Sequence, residues 1–209
     1  MSIGRLKVLL ESAVPVIEAP SRDLEQYTTP AEIALAMASF AKEAGLLEGA
    51  TVADLGAGTC RIALAALLLG ASKAIAVDVD ERLAAPCLAA SRYLGVEDRL
   101  SYVVSRISSE EGPLMPGAVD LVLTNPPFGV WRRGADTEFL VYAMRLRPRA
   151  VIAVVKSGNL EFHRRIAERE GFSLKLIGLF DFPIPASMPH HRSRIRRVRV
   201  DLIELSGAQ

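Results

Sequence analysis

Three short stretches of the 209-residue chain carry side chains whose types and spacing could do chemistry. The first, DLGAGTC (Asp54 to Cys60), lies between a β-rich run and an alanine- and leucine-rich run. Gly56 and Gly58 permit a sharp strand-to-helix turn and let a ligand approach the backbone amides. Alone this is a weak signal, since such turns occur in α/β proteins of every function, and no Gly-Lys-Ser or Gly-Lys-Thr follows to make a Walker loop. The second feature is Asp78, roughly twenty residues further on, where a carboxylate can accept both hydroxyls of a ribose. Loop and acid together suggest an adenosine-containing cofactor. The competing reading, that Asp78 caps the next helix, suits Asp80 better.

The third stretch is TNPPFG (Thr124 to Gly129). Two prolines keep the backbone extended after Asn125 and remove two N–H groups, leaving carbonyl oxygens and an amide side chain facing the cleft. Such a corner accepts hydrogen bonds from a planar amine, as amino methylation of a base or an amide requires. Acceptors at the amine hydrogens draw the nitrogen toward tetrahedral geometry for attack on a sulfonium methyl, and Phe128 stacks on the presented ring. Pro-Pro alone reads as a rigid turn; the Asn before it and the aromatic after it favour a site.

The elements that must position these residues alternate along the chain. Strands are predicted at 51–55, 73–80, 100–105, 119–125, 150–156, 172–180 and 197–205, with helices at about 61–69, 81–95 and 160–170. This is the pattern of a mostly parallel α/β sheet, and the last two strands, following the final long helix, read as an antiparallel edge hairpin. Pro86 sits far enough into the second helix either to kink it or to mark its true first turn. Thr29, Pro30 and Glu32 have the spacing of an N-cap, a first helical residue and a capping-box partner. Residues 1–22 are expected to form a helix ended by Pro15 and Pro20.

Half the residues are apolar and 23% are charged, which excludes disorder, collagen and coiled coil. One domain, 1–209, is expected, with a helical extension at 1–23 and the catalytic core at 24–209. Cys60 and Cys87 lack metal spacing and are expected to be neither disulfide-bonded nor zinc-bound, which suits an intracellular chain. The apolar stretch Ile62 to Ala71 is too short for a bilayer, and a cytoplasmic protein without membrane partners or metal is expected. The net charge of +1 hides an asymmetry: residues 1–120 hold 10 basic against 16 acidic groups, and residues 121–209 hold 15 against 8. Five arginines between His190 and Arg199, with no acid among them, suit a phosphate-bearing partner.

The stretches LEQYTTP, DLGAGTCRIALAALLLG, AVDVD, TNPPFG, GADTEFL and FDFPIPAS resemble the methyltransferase-like family that makes N6-methyladenosine in small-subunit ribosomal RNA, in particular its archaeal members. The resemblance runs from about Leu24 to Leu205. It implies a class I, Rossmann-like fold with seven strands, and S-adenosylmethionine as cofactor. It places Gln26, Tyr27 and Thr29 at the methionine end, with Asp54, Gly56, Ala57, Gly58 and Thr59 along the middle. Asp78 and Val79 fall at the ribose, and Arg106 and Ile107 at the adenine. Asn125, Pro126, Pro127 and Phe128 form the catalytic set, with Asn125 also touching the cofactor. Lys156, His190, His191, Arg192, Arg194, Arg196 and Arg197 are expected to track RNA phosphates, and an unpaired adenosine is the easier target.

The family pattern is broken at two positions. Cys60 replaces a usual glycine. Arg106 replaces an Asp that touches the cofactor's adenine amine, and since arginine has no acceptor, adenine recognition falls on backbone groups or on packing against Ile107. The resemblance also implies a small zinc-binding activator that extends the sheet. The rival readings are a methyltransferase acting on a glutamine side chain of a translation protein and a non-catalytic RNA-binding module.

Overall fold

The computed structural model describes residues 1–207 apart from 18, 22, 130–131 and 186–194. Seven strands form one sheet: β1 (Thr51–Leu55), β2 (Lys73–Asp78), β3 (Leu100–Val104), β4 (Leu121–Thr124), β5 (Ala150–Lys156), β6 (Phe172–Pro185) and β7 (Ile195–Gly207). Their order is β3-β2-β1-β4-β5-β7-β6, with the first five parallel. β7 runs antiparallel to both β5 and β6, forming the edge hairpin that the sequence pattern predicts. Among the described residues six α-helices cover the sheet: α1 (Ile3–Ala13), α2 (Ala31–Glu43), α3 (Arg61–Leu69), α4 (Ala84–Tyr93), α5 (Ala135–Arg145) and α6 (Leu160–Arg169).

Period-two alternation divides the strand residues between two cores. Val52, Leu121, Leu123, Ile152 and Val154 pack toward α1, α2 and α3. Ala53, Leu55, Val122, Val151 and Val155 pack toward α5 and α6. Central parallel strands covered on both faces must be apolar throughout, which is why β5 is buried at every residue but Lys156. Among the described residues no helix is long and apolar enough to cross a membrane.

Several boundaries differ from the predicted ones for identifiable reasons. α1 stops at Ala13, and Val14, ahead of Pro15, is extended (φ −104°, ψ 110°), because the residue before a proline avoids the helical region. Thr29 does not cap α2. Pro30 occupies that position without a side-chain hydrogen bond, and the Thr29 hydroxyl is engaged elsewhere. Pro86 is the third residue of α4, in the first turn, where a missing N–H costs no helical bond. β6 continues through Pro183 to Pro185 because it is an edge strand, where a proline leaves no partner unpaired. The hairpin therefore outruns β5, whose last partner is Val200, by the five pairs from Asp181–Arg199 to Pro185–Ile195.

The expectation of two unlinked cysteines is overturned, since Cys60 and Cys87 form a disulfide across a sequence separation of 27. Helix α4 packs on the same face of the sheet as α3 and brings the two Cα atoms to 5.5 Å. Spacing along the chain could not reveal this proximity. Cys60 has φ +63°, a left-handed conformation that costs a residue with a Cβ about 1–2 kcal/mol, and the bridge helps to hold it there. Reduction is expected to lower the unfolding free energy by about 3 kcal/mol through loop-closure entropy. The check is the urea midpoint with and without reductant; identical midpoints would show that the bridge adds nothing.

Candidate active site

The carboxyl ends of β1, β2 and β4 open onto a cavity of about 320 Å³, within the range of small-molecule sites. One wall is the turn from β1 into α3. The amides of Gly56 and Ala57 both donate to the Val77 carbonyl of β2, at 2.8 and 3.1 Å, and the Gly58 amide donates to Asp78 Oδ2 at 2.8 Å. Gly56 (φ +72°) adopts a conformation that L side chains rarely take, and a Cβ there would press on the Phe139 ring at 3.1 Å. Beneath the turn, Asp54 is fully buried and accepts the Ala63 amide at 2.9 Å. Removal from water pushes its pKa up to about 7; the Ala63 bond opposes the shift and nearby Asp78 adds to it.

Asp78 ends β2 at the cavity, accepting the amides of Gly58 and Asp80 at 2.8 and 2.9 Å. An ionised carboxylate offers about four lone-pair positions, so capacity for a diol remains. Burial raises the Asp78 pKa, partly offset by these amides. Asp80, next but one along, organises the surroundings. It accepts Gln26 Nε2 at 2.9 Å and a two-point contact from Arg82, and the Arg82 hydrogen bond, with lesser help from Gln26, holds its pKa well below the usual carboxylate range. Gln26 Oε1 accepts the Ser21 amide at 2.7 Å, so its side chain ties the N-terminal segment to β2.

The opposite wall is the Asn-Pro-Pro-Phe corner. Asn125 Nδ2 donates to Thr29 Oγ1 at 3.0 Å, while Asn125 Oδ1 is buried and has no partner among the described residues. The Phe128 ring lies nearly parallel to Tyr27 (6.4 Å between centroids, 19° between planes) and edge-on to Phe182 at 5.5 Å. Phe182, fully buried on the overhanging part of β6, thus braces the corner from the hairpin. Arg61, which also lines the cavity, donates to the carbonyls of Thr29 and Val14.

The structure gathers the predicted catalytic and cofactor residues, all but Asp54, at this cavity. Gln26, Tyr27, Thr29, Gly56 to Thr59, Asp78, Val79, Arg106, Ile107 and Asn125 to Phe128 all line it. Asp54 does not; its Oδ2 accepts the Ala63 amide of α3 under the turn, and among the described residues its buried Oδ1 has no donor. Lys156 ends β5 exposed and outside the cavity wall. Arg197 is exposed on β7; the side chain of Arg196, and His190, His191, Arg192 and Arg194 entirely, lie outside the described residues. Sequence reasoning missed Ile17, Arg61, Arg132 and Phe139 as lining residues. Only Arg61, a charge in an otherwise apolar helix, carried a signal that could have been noticed.

The orphaned Asn125 acceptor, the close-approach glycines and the acidic end of β2 fit a nucleoside cofactor with an amine acceptor beside it. With the strand order, they define a class I S-adenosylmethionine-dependent methyltransferase. Residues 34–125 match the family model described as ribosomal protein L11 methyltransferase (PrmA). The chain is 31% identical over 208 residues to the rRNA N(6)-adenosine-methyltransferase Mettl5 of Drosophila melanogaster, covering 96% of this chain and 94% of that one. It is 28% identical to the rRNA N(6)-adenosine-methyltransferase metl-5 of Caenorhabditis elegans, covering 89% of each. A solved Pyrococcus horikoshii structure assigned to the RNA methyltransferases superposes with a TM-score of 0.87 at 29% identity, over 100% of this chain and 99% of that one. The protein belongs to the rRNA N6-adenosine methyltransferase family.

Asp54 makes stability depend on pH in an unusual direction. Below about pH 4 it is protonated folded and unfolded alike; above pH 7 the folded state must carry its buried charge. The Asp54→Asn variant is therefore expected to gain on the wild type, by on the order of 2–4 kcal/mol, as pH rises from 4 to 8. Urea midpoints at the two pH values measure this, and parallel profiles would clear Asp54 of the effect.

Proposed function

We propose that the protein methylates N6 of an adenosine in ribosomal RNA, with the small-subunit RNA as the molecule. One observation carries the reading: among the described residues Asn125 Oδ1 is a buried acceptor without a donor, on a residue that lines the cavity and whose Nδ2 is held by Thr29. A buried acceptor left unmatched is costly, so the site is built to receive an N–H. The relatives named as rRNA N6-adenosine methyltransferases support adenosine as its bearer.

S-adenosylmethionine, when bound, supplies an electrophilic methyl group. Asp78 is placed to take the ribose hydroxyls, and the Gly56 to Thr59 turn to lie along the middle of the cofactor. Asn125 Oδ1 and the Pro126 carbonyl accept the two amine hydrogens and orient the nitrogen lone pair. Phe128, clamped by Phe182, offers an apolar surface for the base. No strong base is required early, because the nitrogen becomes acidic once it has attacked, and positioning provides the rate. Arg197 and Arg199, exposed on the hairpin beside the cavity, are assigned to phosphate contacts. A partner extending the sheet would find the free β3 edge flanked by exposed Tyr93 and Val104.

Asn125→Ala is expected to reduce turnover by at least ~100-fold while leaving cofactor affinity nearly intact, and Asp78→Ala to weaken cofactor binding itself. Calorimetry and single-turnover rates separate the two, and the reverse pattern would exchange the roles. The function is tested by incubating the protein with labelled S-adenosylmethionine and a mixture of ribosomal RNA and proteins from cells lacking it. Label in N6-methyladenosine is the expected outcome; label in methylglutamine would replace the RNA reading with a protein substrate.

A further inference from the structure

Arg61, the first residue of α3, is only 8% exposed and lines the cavity beside Thr29 and Thr59. Its Nη1 donates to the Thr29 carbonyl at 2.9 Å and its Nη2 to the Val14 carbonyl at 2.7 Å. A guanidinium carries five N–H groups in a fixed fork, and these two bonds leave three over. Nε is among them, buried and, among the described residues, without an acceptor. Among the described residues Arg61 forms no ion pair. Burial pulls its pKa below the ordinary value, and Glu11 opposes this only by longer-range attraction. Arginine keeps its proton even so, and the molecule holds a buried cation with an unanswered donor.

The cavity wall carries both signs of charge. Asp78, which accepts the Gly58 amide, and Arg61, three residues further along the same turn, both line it, together with Asp23, Glu25, Arg106 and Arg132. A ligand with a diol at one end and an anion at the other satisfies Asp78 and Arg61 in a single orientation. S-adenosylmethionine has this polarity: ribose at one end and the α-carboxylate of its methionine portion at the other. Guanidinium and carboxylate match in geometry as well as in charge, through paired N–H donors.

We propose that Arg61 is the receptor for the methionine carboxylate of the cofactor, and so selects ligands that keep that charge. The proposal rests on the cofactor reading above. By bonding the Thr29 carbonyl as well, Arg61 couples the occupied carboxylate subsite to the residue that holds the Asn125 amide. The alternative is that Arg61 only fastens the N-terminal segment to α3, in which case its loss would harm every ligand alike.

Calorimetry of the full chain with three ligands tells these apart: S-adenosylhomocysteine, its uncharged carboxamide, and 5′-methylthioadenosine, which lacks the amino-acid portion. The wild type is expected to prefer the carboxylate over the carboxamide by roughly 10- to 100-fold, the span of a charged hydrogen-bonded contact. Arg61→Gln is expected to shrink that preference to within about threefold, with S-adenosylhomocysteine losing more affinity than 5′-methylthioadenosine; Arg61→Lys, which keeps the charge, retains part of the preference. Equal losses for all three ligands in the variants would overturn the proposal. So would a wild type that binds carboxylate and carboxamide equally, a comparison that needs no variant to fold. If the wild type bound none of the three, the cofactor reading itself would fall and the proposal with it.

Discussion

Everything at this site depends on one covalently short stretch, the turn from β1 into α3, being fixed from every side. Its first two amides share the Val77 carbonyl, its third is tied to Asp78, and Asp54 holds the start of α3 from below. Cys60 anchors it to α4 and Arg61 to the N-terminal segment. A backbone passing through three left-handed residues, Gly56, Gly58 and Cys60, would otherwise sample many shapes. Here each departure from the native shape breaks a buried contact, so the turn holds one fixed shape along the cavity wall.

The N-terminal segment is part of the same arrangement rather than an appendage. Gln26 bonds Asp80, the Thr29 hydroxyl holds the Asn125 amide, and the Thr29 carbonyl accepts from Arg61. Tyr27 lies alongside Phe128. The two halves of the site, the glycine turn and the Asn-Pro-Pro-Phe corner, come from separate strands of the sheet and are joined across its edge by these few residues. Helix α1 stabilises them from a distance by burying Leu6 and Leu10 against the core.

How far the sequence disclosed this arrangement follows from where each signal is stored. β1, β5 and the β6–β7 pairing were legible because period and composition are local. The cavity-lining motifs were legible because turn chemistry restricts residue type at fixed offsets. Thr29 misled for the same reason: a cap and a hydrogen-bond partner for Asn125 demand the same hydroxyl, and the partner 96 positions away won. The Cys60–Cys87 bridge, the Phe182 brace and the Phe139 ring against Gly56 depend on which helix packs where. Such contacts are set by tertiary structure and leave no periodic trace. Asp54 was drawn into the expected cofactor set by its place beside the glycines, whereas its burial turns it toward the helix backbone.

The pinning of the Asn125 amide has a bearing on when the reaction stops. With Nδ2 committed to Thr29, the proposed pocket offers lone pairs only and in effect counts hydrogens on the nitrogen it receives. An unmodified amine brings two. After one transfer a single hydrogen is left, and one buried acceptor loses its match at a cost of about 1–3 kcal/mol. On the proposed reading the singly methylated base is held less firmly than the base that entered, which favours release over a second round. A threonine hydroxyl on the far side of the amide would then set the multiplicity of the modification.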